Sequence, residues 1–306
     1  LHIHSRLGSL PLSRILEPAI QTAKSGAIIN NAHEYLFKIL DPILSYTKTG
    51  EILFKPNGKT IKAGERFKNP DFANYLEQII VEGSNFLYNG DLTDKIDDYM
   101  KDGGLLTRED LSNYEVIERT PLKTDFNGKT IITNPMPSPG GTLIAFALKI
   151  ISKKFPGEKI DNRLLTLGMR LAQIARSEII STKNRKNSLA EILSPSYIKR
   201  YLDLFDYEIS LKPNKEKPGS GSTTHMSIID SQGNAASVTT TNGEGCGYII
   251  PGTGIMMNNI LGEEDLNPDG FHNWETTKRM STMMSPTIVI GDSGPELVLG
   301  SGGSNR

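Results

Sequence analysis

Apolar positions in the first third of the chain recur at helical spacing. In LSRILEPAIQTAKSG they fall at Ile15, Leu16, Ala19, Ile20 and Ala23, one face of a 3.6-residue repeat, and Gly26 stands where that helix is expected to stop. NPDFANYLEQIIVEGSNFLYNG repeats the arrangement, with Asp71 early, where the helix dipole favours a carboxylate, and Gly83 near the end. DLTDKIDDYMKDGG is a third such segment. The pattern then changes. TPLKTDFNGKTIITNP reads as two strands around Asn127-Gly128, a pair suited to the left-handed conformations of a tight hairpin turn. PMPSPGG reads as an irregular loop feeding the apolar helix TLIAFALKIIS, and Asp161 or Asn162 can cap the next helix, RLLTLGMRLAQIARSEII.

Residues 203–222 are polar, rich in Pro, Lys and Gly, and without periodicity, so an exposed linker is expected there. Beyond it the period becomes two. THMSIID and NAASVTTT alternate around Ser231-Gln232-Gly233-Asn234, and STMMSPTIVIGDSGPELVLGSGG forms a second hairpin-like pair. Helices first and strands later predict an α+β fold rather than repeated βαβ units.

Composition narrows the function classes. The 306 residues suffice for one large domain or two ordinary ones, and 37% hydrophobic with 23% charged residues is normal for a globular chain. A formal net charge of −1 provides no global field for nucleic acid or an acidic membrane. No apolar run approaches the ~18–20 residues of a membrane-spanning helix. The single cysteine excludes an internal disulfide. The chain begins at Leu1 and stops at GSGGSNR, so both ends are expected to continue in something longer, and the compartment stays open between cytoplasmic and periplasmic or secreted.

Three signals are discounted. GEGCGYIIPGTG (243–254) matches neither GxGxxG nor a P-loop and reads as close backbone packing. His2 and His4 lack neighbours to complete a metal site. Cys246 has no catalytic histidine signature and reads as an unreactive core thiol.

GSGSTTHMSIID (219–230) is different. A threonine hydroxyl is a poor nucleophile without an adjacent base. A free α-amino group, with a pKa of roughly 7.7–8.0, is well matched to that task. One residue supplies both groups only if it is an N-terminus, which requires the bond before Thr223 to break. Small residues upstream give the backbone room to distort, and the strand downstream would hold the new terminus. On these residues alone, a plain linker-to-strand junction remains the alternative.

The order of motifs is similar to that of a known family. TTHMSIIDSQGNAASVTTTN, PGTGIMMNNILGEED, KRMSTMMSPTIV and LVLGSGGSNR resemble the small-subunit sequence of γ-glutamyltranspeptidases. LGSLPLSRILEPAIQTAKSG, NPDFANYLEQII, GGLLTREDLSNYEV and NPMPSPGGTLIAFALKI resemble its large-subunit blocks, so the similarity covers essentially the whole chain. The resemblance implies a four-layer αββα N-terminal-nucleophile hydrolase made as a self-cleaving precursor. Residues 1–222 would be the large-subunit part, without the family's N-terminal portion. Residues 223–306 would be the small-subunit part, the two sharing one core.

By position, the resemblance implies Thr223 as nucleophile and Ser222–Thr223 as the cleaved bond. Thr241 would orient the nucleophile, and Gly302 and Gly303 would receive the oxyanion, although GSGGSNR is spaced slightly differently from the usual form. Ser281 and Thr282 would bind the glutamyl α-carboxylate, while Glu263, with Asn242, would face the α-amino group. Ile260 stands where the family often has Gln or Glu, and the carboxylate-binding arginine belongs to the part not covered. The implied activity is γ-glutamyl transfer or hydrolysis on glutathione-like amides. Water or an amino-acid or peptide amine would be the acceptor, with no metal or organic cofactor. Two rivals stand beside it: an acylase with the same machinery and another acyl group, motivated by Ile260, and an unprocessed, inactive binding homologue. Whether identical chains assemble is left open.

Overall fold

A computed structural model describes residues 1–101, 103–181, 189–208, 223–263, 266–267, 270–274 and 276–302. By its internal contacts the chain divides into two units, Leu1–Glu118 with Glu244–Asn259, and Arg119–Gly243 with Ile260–Arg306. Each therefore draws on sequence from both sides of Thr223.

The first unit is mainly helical. Helix α1 (Leu12–Ser25) ends at Gly26, whose φ of 91° suits glycine, and α2 is Asn31–Ile39. Helix α3 (Pro70–Glu82) begins with Pro70 in its first turn, and Asn69 Oδ1 caps it by accepting from the Phe72 N–H at 3.1 Å. The apolar stripes of α1 and α3 meet through Ile20, Ala73 and Leu76. Helix α4 (Asp91–Met100) buries Leu92 and Ile96 against Tyr248 and Ile250. Positions 69 and 254 are locked together: Asn69 Nδ2 donates to Gly254 O at 2.9 Å, and a Cβ on Gly254 would fall 2.6 Å from Asn69 Cγ. Thr47 Oγ1 likewise donates to Gly247 O at 3.1 Å. The close packing expected of the glycine-rich stretch is therefore found. His2 lies 2.7 Å from Glu118, and His4 bonds Leu10 O at 2.8 Å.

The second unit holds the sheets. Strands β1 (Leu122–Phe126) and β2 (Lys129–Thr133) form the hairpin expected around Asn127 and Gly128, whose φ values of 50° and 77° define a primed turn. Helix α5 (Pro139–Lys154) contacts β1 and packs on α6 (Asn162–Ser181) and α7 (Pro195–Glu208). Leu143, Phe146, Ile150, Leu171, Ala175 and Tyr201 form its core, and Asp161 Oδ1 caps α6 by accepting from the Leu164 N–H at 2.8 Å. Strands β3 (Thr224–Ile229) and β4 (Ala235–Thr240) make a separate hairpin. Its turn is tied by Asp230, which accepts from the Gln232 and Asn234 N–H groups and from Asn234 Nδ2, each at 2.9 Å. The Asn234 side chain, then its backbone, holds the Asp230 carboxyl below its ordinary range. Strands β5 (Thr287–Gly291) and β6 (Gly294–Leu299) complete an antiparallel sheet in the order β6-β5-β2-β1, and the β3–β4 hairpin adjoins β5 and β6.

Three expectations need correction. PGG is not loop but the first turn of α5. Proline fits at position 139 because an N–H there would have no helical partner in any case. Residues 203–208, expected to begin a linker, are the end of α7, which the buried Ile198 and Tyr201 anchor despite its polar composition; residues 209–222 lie outside the described ones. Cys246 is exposed rather than in the core. Gly245 and Gly247, at φ 83° and 82°, take the tight contacts with Met256 and Tyr46.

Candidate active site

Thr223 immediately precedes β3 and is half-buried. The register explains its main partner. Thr224 pairs with Thr240, so the residues one step outside each strand meet at the open end of the hairpin. There Thr223 Oγ1 donates to Thr241 Oγ1 at 3.2 Å. Thr241 Oγ1 also accepts from the Gly243 N–H at 3.1 Å, and Gly243, at φ 59°, makes the turn that brings this amide back. Both acceptor sites of the Thr241 hydroxyl are thus used. The Thr223 proton is directed towards Thr241, which leaves the Thr223 oxygen lone pairs for other directions.

The segment after β6 passes the same place. Ser237 Oγ donates to Leu299 O at 3.1 Å. A Cβ on Gly302 would lie 2.9 Å from the Thr223 carbonyl carbon and closer still to its oxygen. Only glycine permits that approach. Thr223, Thr241 and Gly302 are therefore brought together. Ser222 and Gly303 lie outside the described residues.

The other expected residues sit on two further segments of the same unit. Ser281 and Thr282 are half-buried in the irregular run 281–286, where Thr282 Oγ1 accepts from the Met284 N–H at 3.2 Å. Glu263 is half-buried after the 3-10 turn Ile260–Gly262. The buried Asn267 amide fixes that turn by donating to Leu261 O at 2.8 Å and Glu263 O at 2.7 Å. Ile260 is half-buried in the turn, and Asn242 is exposed between Thr241 and Gly243.

Ser138 was not singled out by the sequence. It is buried, and its hydroxyl reaches Thr282 O at 2.6 Å and Met284 O at 2.8 Å, so it holds the run that carries Ser281 and Thr282. Gly140 belongs to the same support: a Cβ there would lie 3.0 Å from the Met283 carbonyl carbon. The available signal is SPGG, two adjacent glycines at the start of a strongly apolar helix, which marks a close backbone approach.

Chemically, the cluster offers an oriented hydroxyl beside a glycine backbone, with no charged side chain among Thr223, Thr241, Gly243 and Gly302. In the uncut chain the Thr223 nitrogen is an amide and not a base. Acyl transfer from this hydroxyl needs a base, and a liberated Thr223 amine would supply one.

The family model described as Gamma-glutamyltranspeptidase matches residues 1–306. The chain is 33% identical to the glutathione hydrolase proenzyme of Pseudomonas aeruginosa, over 99% of this chain and 58% of that protein. It is 30% identical to the acylase ACY 1 proenzyme of Pseudomonas sp. strain SE83, over 99% of this chain and 56% of the relative. The chain thus spans somewhat more than half the length of these relatives. Among solved structures, the cephalosporin acylase from Bacillus halodurans superposes with a TM-score of 0.75 at 22% identity, covering 97% of this chain and 57% of that one. The fold class is the expected one, the α+β architecture of the N-terminal-nucleophile hydrolases.

Proposed function

This chain belongs to the γ-glutamyltranspeptidase family, and from that premise we propose that it is the core of a self-cleaving γ-glutamyltransferase or hydrolase acting on glutathione-like amides. The observation that carries the reading is the meeting of the Thr223 and Thr241 hydroxyls beside the Gly302 backbone. Maturation begins when Thr223 Oγ attacks the Ser222 carbonyl carbon. The C–N bond breaks as the acyl group shifts to oxygen, and water hydrolyses the ester. The products are a carboxylate on Ser222 and a free amine on Thr223, giving fragments 1–222 and 223–306 within the present sequence.

Turnover reuses the same hydroxyl. The Thr223 amine takes its proton as the oxygen attacks the γ-carbonyl of the donor. Thr241 orients the oxygen, and the amides of Gly302 and Gly303 stabilise the oxyanion, a term worth about 3 kcal/mol per donor. The ammonium returns its proton to the leaving amine, and the γ-glutamyl ester on Thr223 is resolved by water or by an amino-acid or peptide amine. Glu263 and Asn242 face the donor ammonium; Ser281 and Thr282 face its carboxylate. A site that excludes water must pair both charges.

Ile260 favours a second reading, an acylase for a donor lacking the α-amine. Two measurements decide. N-terminal sequencing of the purified protein should find a fragment beginning Thr-Thr-His-Met-Ser, absent in Thr223→Ala, which should run as one chain. An intact wild type would leave the inactive homologue standing. With γ-glutamyl and glutaryl anilides as alternative donors, the wild type should prefer the first, and Glu263→Ala should damage only that activity. A wild-type preference for glutaryl, untouched by Glu263→Ala, would replace the transferase reading with the acylase one.

A further inference from the structure

The proposed chemistry uses the first threonine of Thr-Thr-His and leaves the histidine without a role. His225 is half-buried on β3, two residues beyond Thr223. One ring nitrogen, Nδ1, is 2.8 Å from Thr239 Oγ1 on β4, and the other, Nε2, is 2.9 Å from Ser227 Oγ on β3. Hydroxyls can donate or accept, so both nitrogens are satisfied in either tautomer and the ring plane is fixed.

The face of this ring meets backbone. A Cβ on Gly300 would stand 2.8 Å from His225 Nε2 and nearer still to the adjoining ring atoms. The 299–302 segment therefore makes three successive contacts with the hairpin: Leu299 O on Ser237 Oγ, Gly300 on the His225 ring, and Gly302 on the Thr223 carbonyl. Residues 223 and 225 point to the same side of the strand, because side chains alternate with a period of two. The middle contact is rigid, flat and hydrogen-bonded at both edges.

We infer that His225 is a positioning residue: its ring is the spacer that sets how closely the Gly300–Gly302 backbone approaches Thr223. It touches no reacting atom, and it acts through the glycine segment. The inference rests on the proposed reading of Thr223 for its catalytic consequence, but the contact itself does not depend on that reading.

Neither Gly300 nor Gly302 has a left-handed φ, so alanine at either position introduces a steric change without backbone strain. His225→Ala, Gly300→Ala and the double variant are made in the full chain. With a γ-glutamyl anilide, each single variant should lose roughly tenfold or more in kcat, the scale expected when a donor moves by a fraction of an ångström, with KM within about twofold. In the double variant the new methyl group occupies volume vacated by the ring, so its kcat should be no lower than that of the worse single variant. Losses that multiply, or that fall on KM alone, would overturn the inference. Amide hydrogen exchange over 299–302 gives a readout independent of turnover: His225→Ala should accelerate it while the melting temperature stays close to wild type. Unchanged exchange there refutes the spacer role even in an inactive protein. A wild type without turnover, but with exchange responding as stated, would sink the transferase reading and leave the spacer standing.

Discussion

Substituting Gly302 by alanine isolates one contact at the centre of the proposed chemistry. The new Cβ would stand 2.9 Å from the Thr223 carbonyl carbon and 3.5 Å from its Cβ. Carbon atoms pack at about 3.5–4.0 Å, and the Thr223 carbonyl oxygen lies nearer still to the new Cβ, so the two backbones must part by about 1 Å or more. Neither partner is the end of a flexible side chain, and no rotamer change relieves the clash. Gly302 is not at a left-handed φ, so alanine brings no conformational penalty of its own. The displacement would carry the Gly302 N–H away from the developing oxyanion. Misplacement on this scale costs about 100-fold, and loss of one oxyanion donor costs about 100- to 1,000-fold in kcat. Steady-state release of anilide from a γ-glutamyl anilide, measured for wild type and Gly302→Ala at matched processing, gives kcat and KM separately. The expected result is a kcat at least ~100-fold lower, KM within a few-fold, and a thermal melt showing the protein folded. A kcat within about threefold of wild type would remove the Gly302 amide from the oxyanion site.

Two further predictions follow from hydrogen bonds in the same hairpin. Thr241→Val removes the acceptor for both the Thr223 hydroxyl and the Gly243 N–H, a loss of about 1–2 kcal/mol, so self-cleavage and turnover should each slow roughly tenfold or somewhat more while Thr241→Ser retains most of both rates; equal rates for Val and wild type would refute the role. At the far end of the hairpin, the folded Asp230 pKa lies below its unfolded value, so its contribution to stability is present above about pH 3.9 and lost as pH falls through the folded value. Exchange at the Gln232 and Asn234 amides, after correction for intrinsic pH dependence, should show protection falling in that acid window for wild type and no such step for Asp230→Asn.

Much of this was legible because the deciding signals were local. Asn127-Gly128 between β-prone runs, the alternation on either side of Ser231–Asn234, and glycines after helical stretches each impose a conformation within a few residues. The pairing of Thr223 with Thr241 is instead what the family resemblance implies, and the hairpin register supplies its physical reason. What stayed hidden depended on distant partners. The role of Ser138 exists only because residues 282–284 pass over it, and the first turn of α5 carries two glycines because backbone packed at Gly140 and Gly141 leaves no room for side chains. The end of α7 was lost to a neighbouring polar stretch, though Ile198 and Tyr201 bury its inner side. Cys246 misled because its residue type favours burial, whereas the glycines around it took the interior positions.

Strand β2 lies before Thr223 and strand β5 after it, and they pair through Thr130 with Ile290, Ile131 with Val289 and Ile132 with Ile288. Cutting the chain at the proposed bond therefore turns a folding reaction into an association reaction. Before the cut, the two strands find each other at the high effective concentration set by one connected chain. Afterwards, reassembly becomes bimolecular, and apparent stability depends on protein concentration. Each separated fragment would also carry an unpaired strand edge, an invitation to aggregate. Folding must thus precede cleavage. The mature protein would then persist through slow unfolding rather than ready refolding, and a denatured sample would recover less well after the cut than before it.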